Sequence, residues 1–191
     1  NFPIPEVAYI SMGQHLGAPA EPIVAAGDKV KVGQLIANAN GFISAPVHSS
    51  VSGTVKGIET IKDLAGNPCK AVVITVEGDE WVDTIDRSDK IEKEIKLEAK
   101  EIIEKIKECG VVGLGGATFP TNVKLSPPPG KKAEFLIING AECEPYLTSD
   151  YRVLIEMPEQ VLIGAAIMMK ALNVTKGFIG IEENKPEAIK V

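Results

Sequence analysis

Hydrophobic residues in the first 85 positions occur singly or in short groups, separated by turns rich in glycine and proline. Short apolar groups between turn residues are typical of β-strands. The groups are Val7–Ile10, Val30, Leu35–Ile36, Val47, Val51, Val55 and Val72–Ile74. The pattern predicts a small all-β module over residues 1–86.

Two segments of this module resemble each other and also resemble biotinyl and lipoyl carrier domains. Ala26–Ile36 is similar to the glycine–aspartate turn of those domains, and Ala45–Val55 to their alanine–proline strand. The resemblance implies a barrel-sandwich of antiparallel strands. Carrier domains attach their cofactor to a lysine at the hairpin tip, whereas Asn38–Phe42 contains none. We therefore favour an unmodified structural module over a swinging-arm carrier.

The pattern changes to helical spacing after residue 86. Apolar residues recur three or four positions apart within Asp89–Cys109, which predicts a helix there. They are Ile91, Ile95, Ala99, Ile102, Ile103 and Ile106. Asp89 and Glu92 fit a capping box at its start, and Gly110 fits a C-terminal cap. We place a domain boundary at about residue 86, before this helix.

Strands and helices alternate in the remaining chain. Glu134–Ile138 and Gly177–Ile181 are short apolar strands, and Pro158 is expected to open a helix ending near Leu172. We expect the first strand to be central in a parallel sheet and the helix, which is apolar nearly all round, to be covered on both sides. Residues 87–191 are thus predicted to form a Rossmann-like open α/β sheet.

Composition limits the function classes. The chain is 45% hydrophobic and 24% charged, as expected for a globular domain rather than a disordered one. A net charge of −6 argues against nucleic acid as a partner. The longest apolar run, Val161–Met169, is too short to insert into a membrane. Asn1 stands in place of an initiator methionine, and Val191 ends the chain inside an expected helix, so we expect part of a longer protein with an incomplete second domain.

Cysteines and histidines give no metal-binding pattern. Cys69, Cys109 and Cys143 are isolated, which fits a reducing compartment and supplies too few thiolates for an iron–sulfur cluster in this chain. Cys143 fits a small buried filler better than a redox-active thiol. His15 and His48 have no partner at ligand spacing, so we expect structural roles and no metal site.

The richest candidate chemistry lies in a glycine loop. Gly113, Gly115 and Gly116 leave few side chains to keep a ligand from the backbone, and glycine reaches positive φ at little cost. Successive amides can therefore turn toward one anion. Lys124 supplies a nearby cation, so the segment favours a phosphate-bearing cofactor.

Two acidic turns follow the two predicted strands. They are Asn139–Glu144 and Glu182–Asn184. Ligands of open α/β sheets bind beyond the carboxyl ends of the strands, so both turns and the glycine loop are expected at one crevice. Carboxylates there would accept hydrogen bonds from ribityl or ribose hydroxyls, while the loop amides and Lys124 would hold phosphate.

These motifs resemble a known family of flavoproteins. Gly113–Lys124 is similar to the FMN loop of the NADH-oxidising subunit of respiratory complex I, and closer still to the C subunit of the Rnf electron-transport complex. Ser126–Pro129, Asn139–Arg152, Gly180–Pro186 and the carrier-like module also resemble the latter. The resemblance covers essentially the whole chain.

The resemblance assigns roles to individual positions. Those that match FMN-binding positions are Gly113, Gly115, Gly116, Ala117, Lys124 and Asn139. Those that match positions near flavin or nicotinamide are Phe119, Glu142, Glu144, Glu182 and Glu183. Glu142 and Glu144 alternate along one turn, so one of them could instead cap the next segment. Leu114 and Ala141 replace an arginine and an aspartate of complex I, which leaves the phosphate and ribityl contacts there open.

The resemblance also implies an activity. The parent protein would pass electrons between NAD(H), FMN and iron–sulfur clusters carried by a part of the protein outside this chain. It would do so in an ion-translocating ferredoxin–NAD oxidoreductase, peripherally on the cytoplasmic side of the bacterial membrane, with other subunits as partners. No residue here need act as a catalytic acid or base. The rival hypothesis is a non-catalytic scaffold in which the glycine loop is a structural turn.

Overall fold

The computed structural model describes residues 3–63, 65–114 and 117–191. They form two compact units. The first unit contains residues 1–88 and 107–121, and the second contains 89–106 and 122–191. Of the predicted cofactor-binding residues, Gly115 and Gly116 lie outside the described residues.

The first unit is built from antiparallel strands. They are β1 (Val7–Ser11), β2 (Glu21–Pro22), β3 (Lys29–Val30), β4 (Leu35–Asn38), β5 (Val47–His48), β6 (Gly53–Lys62) and β7 (Pro68–Val76). One sheet has the order β1-β7-β6-β3 and the other the order β2-β4-β5. Two small antiparallel sheets agree with the predicted all-β module, and a register shift in β6 between Val55 and Gly57 bends the larger one.

The core of the first unit is made by the apolar groups that predicted the strands. Val55 pairs with Ile74 across β6 and β7, and both side chains are fully buried. Fully burying an aliphatic side chain of this size contributes roughly 1.5–3 kcal/mol. The buried cluster contains Ile10, Met12, Ala20, Val30, Ile36, Ala37, Val47, Val55, Val72 and Ile74.

The first unit also includes a segment from beyond α1 (Ala99–Glu108). The segment Lys107–Thr121, which starts with the last residues of that helix, belongs to the same unit as the β-strands. Gly110 has φ +65°, and a Cβ there would lie 2.5 Å from the Pro46 carbonyl oxygen, so the backbones approach too closely for a larger residue. The hydrophobic pattern did not indicate this return, and the domain boundary near residue 86 stays a prediction.

The rest of the chain has a mixed α/β arrangement. After α1, its elements are α2 (Thr121–Lys124), β8 (Leu136–Asn139), α3 (Ser149–Glu156), α4 (Pro158–Leu172), β9 (Gly177–Gly180) and α5 (Pro186–Lys190). Strands β8 and β9 are parallel, and α3 and α4 form the connection between them. The predicted strand–helix–strand alternation is therefore present. Among the described residues β8 pairs with β9 alone, so its expected central position is not seen.

The first helix is shorter than its periodicity predicted. Residues 89–98 are not helical, and α1 begins at Ala99. The side chain of Glu101 accepts a hydrogen bond from the Glu98 amide at 2.8 Å, which caps the helix at that point. The Ile95 carbonyl accepts instead from Lys170 Nζ at 2.8 Å. The capping box predicted at Asp89 was therefore wrong, whereas the cap at Gly110 is confirmed by its left-handed φ and its hydrogen bond to the Lys107 carbonyl.

Helix α4 has the predicted bounds but not the predicted burial. Only Ala171 is buried, and Leu162 is 58% exposed. The second core, around Ile102, Leu125 and Ala171, covers one side of the helix. A sheet that has two strands in the described part of the chain is narrower than the apolar circumference of α4, so the opposite side stays exposed. No helix within the described ranges combines the length and apolar character needed to cross a membrane.

Candidate functional site

The glycine loop is closed at its base by backbone hydrogen bonds. Val112 and Pro120 form a β-bridge, and the Gly113 amide donates to the Phe119 carbonyl at 3.0 Å. The Gly113 amide is therefore not available to an anion in this conformation. Ala117 is exposed and Phe119 is half-buried, so the described far side of the loop remains accessible.

The β-module holds this loop in place. The Leu16 amide donates to the Thr118 carbonyl at 3.3 Å, and His15 Nε2 lies 3.0 Å from the Ala45 carbonyl oxygen. A cavity of about 190 Å³, lined in part by His48 and Leu114, lies within the first unit beside the loop. Burial lowers the pKa of His48 below its ordinary value, which favours the neutral ring. His15 is therefore held by backbone groups, whereas the structural role expected for His48 stays a prediction.

Lys124 ends the short helix α2. Its side chain is exposed, and within the described ranges no carboxylate lies at ion-pair distance from its ammonium group. The next residue, Leu125, is buried in the second core and fixes the end of the helix. With respect to the described residues, Lys124 is therefore an unpaired cation on an anchored backbone.

The carboxyl ends of β8 and β9 lie side by side. Asn139 is in register with Gly180, and the Gly140 amide donates to the Gly180 carbonyl at 2.8 Å. A Cβ on Gly140 would lie 3.0 Å from that oxygen, which explains glycine at this position. The turns that begin at Asn139 and Glu182 therefore leave the same edge of the sheet, as the sequence predicted.

Asn139 is placed to donate a hydrogen bond at this edge. Its side-chain oxygen accepts from the Ala141 amide at 3.2 Å, which orients the amide group. In the described part of the chain its side-chain nitrogen has no acceptor, and the residue is exposed. Its nitrogen, which no described acceptor occupies, can thus donate to a ligand hydroxyl or carbonyl.

Glu142 serves as the cap of α3. Its carboxylate accepts from the Asp150 amide at 2.9 Å, from the Ser149 hydroxyl at 3.0 Å and from the Tyr151 amide at 3.4 Å. Desolvation opposes ionisation, but these hydrogen bonds and the charge of Lys185 outweigh it and hold the pKa of Glu142 below its ordinary value. Of the two glutamates left open by the sequence, Glu142 is the one that caps the following helix.

We expect Glu142→Gln to loosen the first turn of α3 in a pH-dependent way. The lowered pKa means that the stabilisation is complete above the ordinary pKa of 4.5 and is lost as pH falls through the lower folded-state pKa. Amide exchange of Asp150 and Tyr151 should accelerate at neutral pH, and the difference from the unmodified chain should vanish in acid. Glu144→Gln, which removes the same charge two residues away, is the control. Equal acceleration in both variants would contradict the capping role.

Glu144, Glu182 and Glu183 lie in the two turns at this edge. Glu144 and Glu183 are exposed and Glu182 is half-buried. Among the described residues none of the three carboxylates has a hydrogen-bonding or ion-pair partner, so all three can accept hydrogen bonds from a ligand. Cys143, between the two glutamates, is exposed rather than buried, so the prediction of a buried filler was wrong.

A further contact joins the helices that follow the two turns and was not predicted from the sequence. The Tyr151 hydroxyl donates to Glu187 at 2.6 Å, which raises the pKa of Tyr151, and Lys185 lies 4.8 Å from the centre of the Tyr151 ring. The contact ties the start of α3 to the start of α5. Tyr151 and Glu187 are 36 residues apart, and no spacing rule relates them.

The described candidate residues are divided between the two units. Gly113, Ala117 and Phe119 belong to the first unit. The others belong to the second: Lys124, Asn139, Glu142, Glu144, Glu182 and Glu183. Convergence of the loop with Lys124 and Asn139 on one cofactor therefore stays a prediction. The described residues contain no group of histidine, cysteine and carboxylate side chains that could hold a metal ion.

Comparisons with known proteins identify the family. Residues 1–79 match the family model described as the RnfC barrel sandwich hybrid domain, and residues 106–191 match the Nuo51 FMN-binding domain. The C subunit of the proton-translocating ferredoxin:NAD(+) oxidoreductase complex of Clostridium ljungdahlii is 50% identical over 98% of this chain. The chain belongs to the RnfC family. The barrel-sandwich fold predicted for the first unit agrees with this assignment and with its two antiparallel sheets.

Further RnfC relatives support the assignment. The C subunit of the Na(+)-translocating ferredoxin:NAD(+) oxidoreductase complex of Acetobacterium woodii is 46% identical over 97% of the chain. The C subunit of the ion-translocating oxidoreductase complex of Rhodobacter capsulatus is 41% identical over 100% of it. The chain spans 41%, 42% and 36% of the length of these three RnfC relatives.

Proposed function

We propose that this chain contributes to the FMN and NADH site of an RnfC protein and that its second unit is part of a Rossmann-like sheet. The observation that carries the proposal is the parallel register of β8 and β9. It puts the turns at Asn139 and Glu182 at the carboxyl edge of one sheet, where open α/β folds bind ligands. The match of residues 106–191 to an FMN-binding domain supports the same choice.

The available side chains fit the polar parts of FMN. Within the described ranges, Lys124 is an unpaired cation suited to the phosphate, and the Asn139 side-chain nitrogen is a free donor. Glu144, Glu182 and Glu183 are acceptors suited to ribityl or ribose hydroxyls. Because the Gly113 amide is occupied, we assign phosphate binding to loop amides after it, at Gly115, Gly116 and Ala117. Phe119 would line the nicotinamide side, and Glu142 would act by fixing the turn.

Leu114 and Ala141 mark where binding should differ from complex I. Leu114 is 85% exposed and offers no charge, so Lys124 would carry more of the phosphate interaction. Ala141 has no side-chain acceptor, and its amide is used to orient Asn139. Contacts to the ribityl chain would then come from Asn139 and Glu144.

In the full-length protein we propose electron transfer between NAD(H), FMN and iron–sulfur clusters outside this chain. Bound FMN would supply the exchange between two-electron and one-electron chemistry, while the protein orients its partners. The chain would act as a peripheral part of a membrane complex, on its cytoplasmic side, together with the other subunits. The β-module would support the glycine loop through the contacts from Leu16 and Gly110.

The scaffold hypothesis is favoured by one observation. The base of the glycine loop is closed by backbone hydrogen bonds of the chain itself, because the Gly113 amide donates to the Phe119 carbonyl and the Thr121 amide donates to the Val111 carbonyl. Under this hypothesis the loop is a tight turn docked on an assembly module. Full-length protein that is purified free of flavin and does not bind added FMN would support it.

Lys124→Glu should weaken FMN binding by the full-length protein at least tenfold. The change replaces an attraction to the phosphate dianion with a repulsion, and tenfold corresponds to about 1.4 kcal/mol. Quenching of flavin fluorescence on titration with FMN measures the affinity. Lys62→Glu, an exposed change at the end of β6, is the control. Equal FMN affinities of the two variants would show that Lys124 does not bind the phosphate.

A further inference from the structure

A groove runs along the second unit on the side opposite its acidic turns. Its volume is about 440 Å³. Part of its lining is apolar and includes Ile103, Leu125 and Leu172, which we call the apolar floor. Ala133 precedes β8 and Asn173 precedes β9, so the groove lies at the amino edge of the sheet. With four-residue strands, it is separated from the carboxyl edge by roughly 13 Å.

The charge on this groove differs in sign from the charge on the whole chain. Lys100, Lys131 and Lys132 line it, and no acidic residue of the described ranges does. The chain carries a net charge of −6, so the groove is a local basic region on an acidic protein. All three lysines are exposed, and none has a described carboxylate at ion-pair distance. Three free ammonium groups around an apolar floor suit a ligand that combines carboxylates with an apolar side chain.

The wall of the groove is preformed. The Lys131 amide donates to the Pro128 carbonyl at 3.0 Å, and Gly130 takes φ +80° to make this turn. The Ser126 hydroxyl donates to the Asn122 carbonyl at 2.8 Å. Proline residues limit the backbone of the rim further. Little backbone conformational entropy is therefore lost when a ligand binds here, which favours affinity.

We propose that this groove binds an acidic polypeptide segment of a partner protein. Its carboxylates would pair with Lys100, Lys131 and Lys132, and an apolar side chain would fill the floor. Because the groove is positively charged, charge complementarity favours a partner segment with negative charge. The concave shape selects a polypeptide over a flat anionic membrane, since a lipid surface cannot follow an apolar floor. A partner held at the amino edge leaves the carboxyl edge, with Asn139 and Glu182, open to small ligands.

Zero-length carbodiimide cross-linking of the purified native complex tests the partner directly. The reagent joins lysine amines to carboxylates in contact, and mass spectrometry locates the joined pairs. We expect Lys100, Lys131 or Lys132 to be joined to aspartate or glutamate of another subunit. Cross-links from lysines elsewhere on the protein, with none from these three, would overturn the proposal.

Charge reversal provides the second measurement. A full-length protein with Lys100→Glu, Lys131→Glu and Lys132→Glu should bind the remaining complex at least tenfold more weakly. The control is Lys56→Glu, Lys62→Glu and Lys90→Glu, which changes net charge equally at exposed positions in the first and second units. Equal binding of the two triple variants to the remaining complex would contradict the proposal that the groove binds a partner. If the first variant fails to fold, the cross-linking result on the unmodified complex decides.

Sedimentation with phosphatidylglycerol vesicles tests whether the groove lysines bind an anionic lipid surface instead of a polypeptide. Vesicle binding by the unmodified protein that the groove variant loses and the control retains would assign the lysines to lipid, and the proposal would be wrong. Flavin content of all variants is measured in parallel. We expect it to be unchanged, because the groove is remote from the carboxyl edge. Failure of the groove proposal would appear in partner binding, whereas failure of the proposed FMN site would appear in flavin content.

Discussion

Gly53→Ala is expected to destabilise the first unit by more than about 3 kcal/mol, which is at the upper end for a single substitution. Gly53 begins β6 and pairs with Val76 on one side and Val30 on the other, so it lies inside the larger sheet. A Cβ there would be 2.0 Å from the Thr75 carbonyl oxygen. Backbone atoms of a paired strand cannot move aside without breaking the ladder.

Gly57→Ala is the matched control for this prediction. Gly57 lies in the same strand with φ +155°, close to the +152° of Gly53, but a Cβ there meets nothing within 4 Å. Its cost should be about 1–3 kcal/mol from the backbone conformation alone. Urea unfolding of the 191-residue chain measures both losses of stability. It is followed by the fluorescence of Trp81, which is the single tryptophan of the chain and lies in the first unit. Equal losses would show that the contact with Thr75 is not decisive.

Gly116→Val is expected to remove nearly all FMN from the full-length protein. The reason lies in the sequence: three glycines within four positions leave few side chains where a cofactor approaches the backbone. A branched side chain would occupy that space. Valine also restricts the backbone, so amides could no longer turn together toward a phosphate. Flavin released from the purified protein, measured by absorbance, gives the stoichiometry.

A second glycine-to-valine change controls for general destabilisation. Gly13 has an ordinary φ, and a Cβ there would meet only the Ser11 hydroxyl at 3.9 Å, so Gly13→Val should keep its flavin. If Gly116→Val retained the same flavin stoichiometry as Gly13→Val, the glycine loop would not be the FMN site.

Helix α1 shows where sequence patterns lose accuracy. The apolar spacing of Ile91 and Ile95 is helical, yet the chain there is not helical, and Lys170, 75 residues away, binds the Ile95 carbonyl. Periodicity reports which side chains face a core, and Ile95 does pack against the second core. It does not report whether the backbone between them is helical when a distant side chain supplies the hydrogen bond.

The pair of glutamates in the first acidic turn makes the same point for the site. Their alternation along the turn indicated that one of them could cap the following segment. The structure identifies Glu142 as that residue, because its carboxylate accepts hydrogen bonds from the amides of Asp150 and Tyr151. The link from Tyr151 to Glu187 was likewise invisible, because nothing local relates residues 36 positions apart.

Local periodicity, turn residues and motifs were enough to predict most strands of the β-module, the helix Pro158–Leu172, the strands before and after it and the family. The folded chain was needed to show that Lys107–Thr121 returns to the first unit, that the Gly113 amide donates to the Phe119 carbonyl and that three lysines line a partly apolar groove. Each of these depends on contacts between segments distant in sequence or on backbone geometry at a loop. Such contacts are fixed by packing and hydrogen-bond satisfaction across the whole fold, which no local pattern encodes.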